Sequence, residues 1–124
     1  MSQFDVFEDH DYLSIKTFRA NDEGVPTAVW FYKDGENIYI TTGMASGKVK
    51  RIGGNEHVEV APCDVRGGLL GEFVVATAEI LQAPEDRAHA HDLLAKKYGH
   101  TEMWSQSLND AQDPARAYLR VVPR

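Results

Sequence analysis

The sequence predicts a mainly β protein, a small closed or nearly closed barrel of six antiparallel strands with one short and one longer α-helix. Three observations carry this. Segments rich in β-branched and aromatic residues recur along the chain, separated by Gly, Asn and Asp turn residues. Only two stretches have clear helical spacing, one of them short, and the one opening at Pro84 is the best defined. The chain has 124 residues, 43% hydrophobic and 26% charged, the proportions of a single domain over residues 1–124 with one core.

Tyr12 to Phe18 alternates in character and is rich in strand-forming residues. Asn21-Asp22-Glu23-Gly24 then turns the chain before a strand resumes over Val25 to Tyr32, which reads as a hairpin. Lys33-Asp34-Gly35-Glu36 is a second turn, and Asn37 to Thr42 completes a three-stranded meander. From Ser46 to Ile52 the pattern becomes helical, with Val49 and Ile52 on one face and Lys48, Lys50 and Arg51 around them, ending at Gly53-Gly54. His57 to Pro62 and Gly71 to Leu81 are two further strands joined by a glycine-bearing loop, Asp64 to Leu70. Pro84 opens the longer helix, Glu85 and Asp86 occupy its first turn, Ala90, Leu94 and Tyr98 stack four apart, and Gly99 stops it. Thr101 to Leu108 reads as one or two loose helical turns anchored by Trp104 and Leu108. After the Asp113-Pro114 breaker, Tyr118 to Val122 is the last strand.

A net charge of −6 argues against a general nucleic-acid or anionic-membrane binder, since surfaces that neutralise phosphate carry a surplus of Lys and Arg. One cysteine, Cys63, excludes an internal disulfide and a thiolate zinc cage. The amino-terminal segment has no secretory-signal pattern and no stretch approaches the ~18 apolar residues of a membrane span, so the expectation is a cytoplasmic protein. Against this acidic background, Ala45 to Gly54 holds three cations and no acid.

That run is not a Walker loop, because three residues rather than four separate Gly43 from Gly47, and Val49 follows Lys48. Its chemistry still suits an anion: small residues after a strand, then a helix start with free N–H groups and nearby cations, make a seat for phosphate. The competing reading is a solvated basic turn. The five histidines lack ligand spacing, so no metal site is expected. Cys63 reads as a buried inert thiol, and no Gly-x-Ser-x-Gly elbow marks a serine hydrolase. Val29-Trp30-Phe31-Tyr32 is either core packing or a wall for a planar ring.

Taken together, Thr17-Phe18-Arg19, Pro26-Thr27-Ala28-Val29-Trp30-Phe31, Ile40-Thr41-Thr42-Gly43, Ser46-Gly47-Lys48-Val49-Lys50-Arg51, Val60-Ala61-Pro62-Cys63-Asp64 and Arg66-Gly67 resemble the split-barrel flavin and deazaflavin oxidoreductases, and specifically the small pyridoxamine 5'-phosphate oxidase-like branch that uses coenzyme F420. The likeness runs from Tyr12 to Val122. It implies a six-stranded split barrel, a homodimer with cofactor in the groove between subunits, and hydride transfer between reduced deazaflavin and a small unsaturated or quinone-like organic substrate. It further implies that Thr42, Ser46, Lys48, Lys50 and Arg51 bind the phosphate or acidic tail, while Thr27, Ala28, Val29 and Trp30 line the ring. No separate catalytic side chain is implied, because hydride chemistry belongs to the cofactor. Ala28 stands where the family commonly has proline, and Gly53-Gly54 where a cation is common. The alternatives are an FMN-dependent flavin reductase or oxidase of the same fold, or a non-catalytic module that binds a cofactor or haem.

Overall fold

The computed structural model describes residues 3–99, 101 and 110–124. A 3-10 turn, Gln3–Phe7, precedes β1 (Tyr12–Phe18), β2 (Gly24–Asp34), β3 (Asn37–Gly43), α1 (Gly47–Gly54), β4 (His57–Cys63), β5 (Val74–Ile80), α2 (Pro84–Tyr98) and β6 (Arg116–Pro123). The six strands close into an antiparallel barrel in the order β1-β2-β3-β6-β5-β4, with β4 returning to β1. Closure gives every strand a ladder partner on both sides over at least part of its length.

Alternation decides what enters the barrel. Leu13 and Ile15, Val29 and Phe31, Ile38 and Ile40, Val58 and Val60, Ala76 and Ala78, and Leu119 and Val121 form the inner core. Phe4 and Phe7 join it from the 3-10 turn, with Phe7 meeting the Phe31 ring edge-on at 6.0 Å. Ile52 of α1 belongs to the same core, while Val49 is buried on the same helix face. The antiparallel registers gather the ends of β1, β3 and β5 and the starts of β2, β4 and β6 at one end of the barrel, and α1 lies there against β1 and β5.

A second cluster forms where α2 covers the outer face of β2, β3 and β6. Ala90, Leu93, Leu94 and Tyr98 pack against Tyr39 and Tyr118, and Trp30 stacks on Tyr98 at 4.4 Å with the rings 3° from parallel. The aromatic strand is thus divided by its own pleat: Val29 and Phe31 face the core, Trp30 and Tyr32 face α2.

The turns follow their chemistry. Asp34 pairs with Asn37 across a two-residue loop in which Gly35 takes φ 61°. Between β1 and β2 the left-handed position falls on Asp22 (φ 68°) rather than Gly24, and the Arg19 N–H donates to the Glu23 carbonyl at 2.9 Å. Several boundaries differ from the sequence expectation, β2 for instance running on to Asp34, and two have a clear cause. β5 begins at Val74, not Gly71, because the last residues of β4 are already engaged: Leu69 bridges Cys63 and the Leu70 N–H donates to the Pro62 carbonyl at 2.8 Å. Residues 71–73 therefore have no strand to pair with. β6 begins at Arg116, two residues before Tyr118, because β3 continues as its partner to Gly43. The expected helical turns at Thr101 to Leu108 lie outside the described residues apart from Thr101.

β2 changes partners along its length. Residues 24–29 ladder with β1 and residues 30–34 with β3. Each half therefore has one edge without a ladder. On the β1 side, the Tyr98 hydroxyl takes the place of a missing strand residue: it accepts from the Phe31 N–H at 3.0 Å and lies 2.8 Å from the Asp11 carbonyl and 2.9 Å from that of Phe31. On the opposite side, the edge of residues 25–29 receives no such partner among the described residues.

Candidate functional site

The barrel end that holds α1 collects the cations. α1 carries Lys48, Lys50 and Arg51, has no acid in its first turn, and leaves N–H groups there without helical acceptors. Ser46 occupies the N-cap position, yet its hydroxyl makes no capping hydrogen bond and is buried without a partner. Arg51 folds back along the helix. Its Nε donates to the Thr17 hydroxyl at 2.6 Å, and Nη1 lies 2.6 Å from where a Cβ on Gly47 would be. Glycine at position 47 is what lets the guanidinium reach the helix start.

A further cation was not legible in the motif. Arg116, the first residue of β6, pairs with Gly43 in the β3–β6 ladder, and the Met44 N–H donates to the Ala115 carbonyl, so β6 delivers its side chain beside α1. Its Nη2 donates to the Thr41 hydroxyl at 3.3 Å, and its Nε is buried without a partner. Burial, then Arg51 and Arg116, pull the Lys48 ammonium below the ordinary lysine range. Burial also lowers Arg116, against the opposing pull of Tyr118 and Asp113. Among the described residues none of Lys48, Lys50, Arg51 and Arg116 is in an ion pair. Like charges held this close with unused donors are an arrangement that an anion would stabilise.

Arg87 of α2 fixes the approach of β6. Buried with its guanidinium 5.0 Å from the Tyr118 ring centroid, it donates to the carbonyls of Ala111, Asp113 and Arg116 at 2.9–3.1 Å. These bonds hold the segment that ends in Arg116.

The residues expected to bind a cofactor fall into three places. Ser46, Lys48 and Arg51 come together with Arg116. Lys50 lies on the other flank of α1, where with Arg51, Gly54, Phe18 and Arg19 it lines a cleft of about 570 Å³. Thr42 is buried and faces inward opposite Ala117. On β2, Thr27 faces the barrel interior with its hydroxyl buried and unpartnered, Ala28 is half-buried on the outer face, Val29 is in the core and Trp30 is stacked beneath α2. Thr27, Ala28 and Val29 belong to the β2 edge that has no ladder partner. Arg116 escaped the sequence reading because it sits far along the chain, after a proline breaker, and only the β3–β6 register brings it to the motif.

Among the described residues no group of three His, Cys, Asp or Glu side chains could hold a metal ion, and no helix is long and apolar enough to cross a membrane. Cys63 is buried, and burial followed by Asp64 raises its thiol above the ordinary range, away from nucleophilic use.

No family model and no curated protein matches the chain. Solved structures do. HutZ, the heme storage protein of Vibrio cholerae, aligns with a TM-score of 0.75 at 12% identity, over 94% of this chain and 84% of that one. A provisionally assigned pyridoxamine 5'-phosphate oxidase of Listeria innocua gives 0.67 at 17% identity, covering 96% and 88%. An F420 reductase gives 0.66 at 19% identity, covering 98% and 92%. The fold is therefore that of the pyridoxamine 5'-phosphate oxidase-like split barrels. Proteins on this fold include an F420 reductase and a heme storage protein, so the barrel alone does not decide between turnover and storage.

Proposed function

We propose that this protein is an oxidoreductase of the split-barrel class that binds coenzyme F420 and serves hydride transfer with a small unsaturated or quinone-like organic substrate. The observation that carries the reading is the meeting of Lys48, Arg51 and Arg116 at the start of α1, with Ser46 Oγ and Arg116 Nε buried and unused. A phosphate fits this donor set, because it offers charge and acceptors where the chain has cations and orphaned donors. Lys50 and Arg51 in the neighbouring cleft suit an acidic tail. When bound, the deazaflavin supplies the hydride exchange itself. The chain's own part is placement: Arg51 anchored on Thr17, Arg116 held by Arg87, and the unladdered β2 edge at Thr27–Val29 presented to a planar ring.

The same cradle would take the single phosphate of FMN, the alternative cofactor. Two copies of the chain are proposed to pair, with exposed Val65, Leu69, Leu70 and Val75 as apolar surface available for burial. Light scattering on the purified protein checks that assembly, and a monomer at micromolar concentration would refute it.

Titration of the protein with F420, FMN and haem, each followed by its own spectrum, tests the cofactor. Saturable quenching of F420 fluorescence and hydride transfer to a reducible substrate are expected. Lys48→Ala should weaken F420 binding by about 1.5–3 kcal/mol, the value of a charge-assisted hydrogen bond. An unchanged affinity would refute the phosphate site, and binding without turnover across a substrate panel would support a storage module instead.

A further inference from the structure

The opposite end of the barrel holds a second chemical feature that the cofactor reading does not use. The last turn of α2 sends Lys97 back over the core, where its Nζ donates to the His10 carbonyl at 2.6 Å and lies 3.6 Å from the centroid of the Phe31 ring. It borders a cavity of about 400 Å³ whose walls include Phe7, Phe31, Glu8, Asp9 and Lys33. The two lysines of this cavity are treated differently. Lys33 has Glu8 at 3.3 Å and Asp5 at 3.7 Å, whereas Lys97 has no carboxylate within 4 Å among the described residues. Lys97 thus sits half-buried on an aromatic face with one carbonyl acceptor. Burial brings its ammonium down to about 8 against the opposing pull of Asp11, and the other titratable groups around it and its cavity are the phenols of Tyr98 and Tyr32, the carboxylates of Glu8 and Asp9 and the ammonium of Lys33. An amine desolvated in this way is a nucleophile at neutral pH.

We propose that Lys97 is a reactive amine that takes an uncharged aldehyde of flat or apolar body as a Schiff base in this cavity. The neutral amine attacks the carbonyl carbon, a C–N bond forms, and both amine hydrogens leave with the carbonyl oxygen as water. A C=N bond remains, and nothing is oxidised or reduced. The aromatic walls favour an apolar body. Carboxylates disfavour an anionic one, since Asp5 and Glu8 already outnumber the Lys33 they pair with and Asp9 adds a further negative charge. A tether between α2 and the amino-terminal turn would need only the bond to His10, which an arginine could also make. The chemistry needs the amine.

Benzaldehyde with cyanoborohydride as trapping reductant, applied to the full-length protein at pH 7.5 and followed by peptide mass spectrometry, tests this. With Lys97 at about 8 against 10.5 for an ordinary lysine, its neutral fraction at that pH is roughly 200-fold larger. Benzylation of Lys97 is expected at least about tenfold ahead of exposed Lys50 and Lys96, leaving a margin for access and lower intrinsic nucleophilicity. Its rate should rise with a midpoint near pH 8, and Lys97→Arg should abolish the fast site. Equal modification of Lys96 and Lys97, or a Lys97 that does not react, would overturn the proposal without bearing on the cofactor cradle.

Discussion

Replacing Arg116 by Met separates a binding arginine from a structural one. Methionine keeps an unbranched apolar stem in the space of the arginine methylenes and removes only the charge and donors. In the protein without ligand, the loss is one bond to the Thr41 hydroxyl at 3.3 Å, and that hydroxyl retains its own bond to the Ala117 carbonyl. That loss is about 1 kcal/mol or less, and it is opposed by relief of the repulsion that Arg116 exerts on Lys48. Stability should therefore change by less than about 1 kcal/mol. Affinity should fall by about 1.5–3 kcal/mol, or roughly 10- to 150-fold, because a phosphate loses a charge-assisted partner. Urea unfolding without ligand gives the first quantity; F420 fluorescence titration, with inorganic phosphate as competitor, gives the second. The Lys48 ammonium should also move back toward the ordinary lysine range, as one of two neighbouring cations is gone. A variant destabilised by several kcal/mol that binds F420 and phosphate as before would refute the cradle.

Other outcomes follow from single contacts. Gly47→Ala places a methyl 2.6 Å from Arg51 Nη1, so the guanidinium must swing away; F420 affinity should fall about tenfold, the loss of one charge-assisted bond, while the melting temperature moves little. Tyr98→Phe keeps the stack on Trp30 but strands the buried Phe31 N–H, so it should cost about 1–3 kcal/mol in urea unfolding. Lys97 gives a pH signature of known sign. Its folded value near 8 lies below the unfolded one, so the unfolded chain binds more protons between pH 8 and 10.5 and stability should rise through that window. The urea midpoint of the wild type should climb from pH 7.5 to 9.5 more steeply than that of Lys97→Met.

Much of this architecture is written locally. Strand-forming composition between turn residues located all six strands, and Pro84 with Gly99 bracketed α2. Val49 and Ile52 stand on the buried face of α1 as their spacing requires. Non-local pairing was not legible. Nothing in Gly71-Glu72-Phe73 marks it as unladdered, since that depends on Leu69 and Leu70 taking the end of β4 first. Nor does anything near Val29-Trp30 say that the pleat will send one side chain into the core and the other beneath a helix formed much later in the sequence. In the cradle, Lys48 and Arg51 announce themselves by clustering, whereas Arg116 enters through the register of two strands.

The hydroxyl of Tyr98 links events in time as well as in space. It joins Asp11 and Phe31 from positions 87 and 67 residues further along the chain. Until α2 has docked, the seam beside Phe31 keeps raw backbone donors and acceptors, and closing so long a loop is slow. The seam should therefore be the last part of the sheet to gain protection in a refolding hydrogen-exchange experiment. During synthesis, a nascent chain that stops short of α2 would present a sticky strand edge until the helix emerges and seals it.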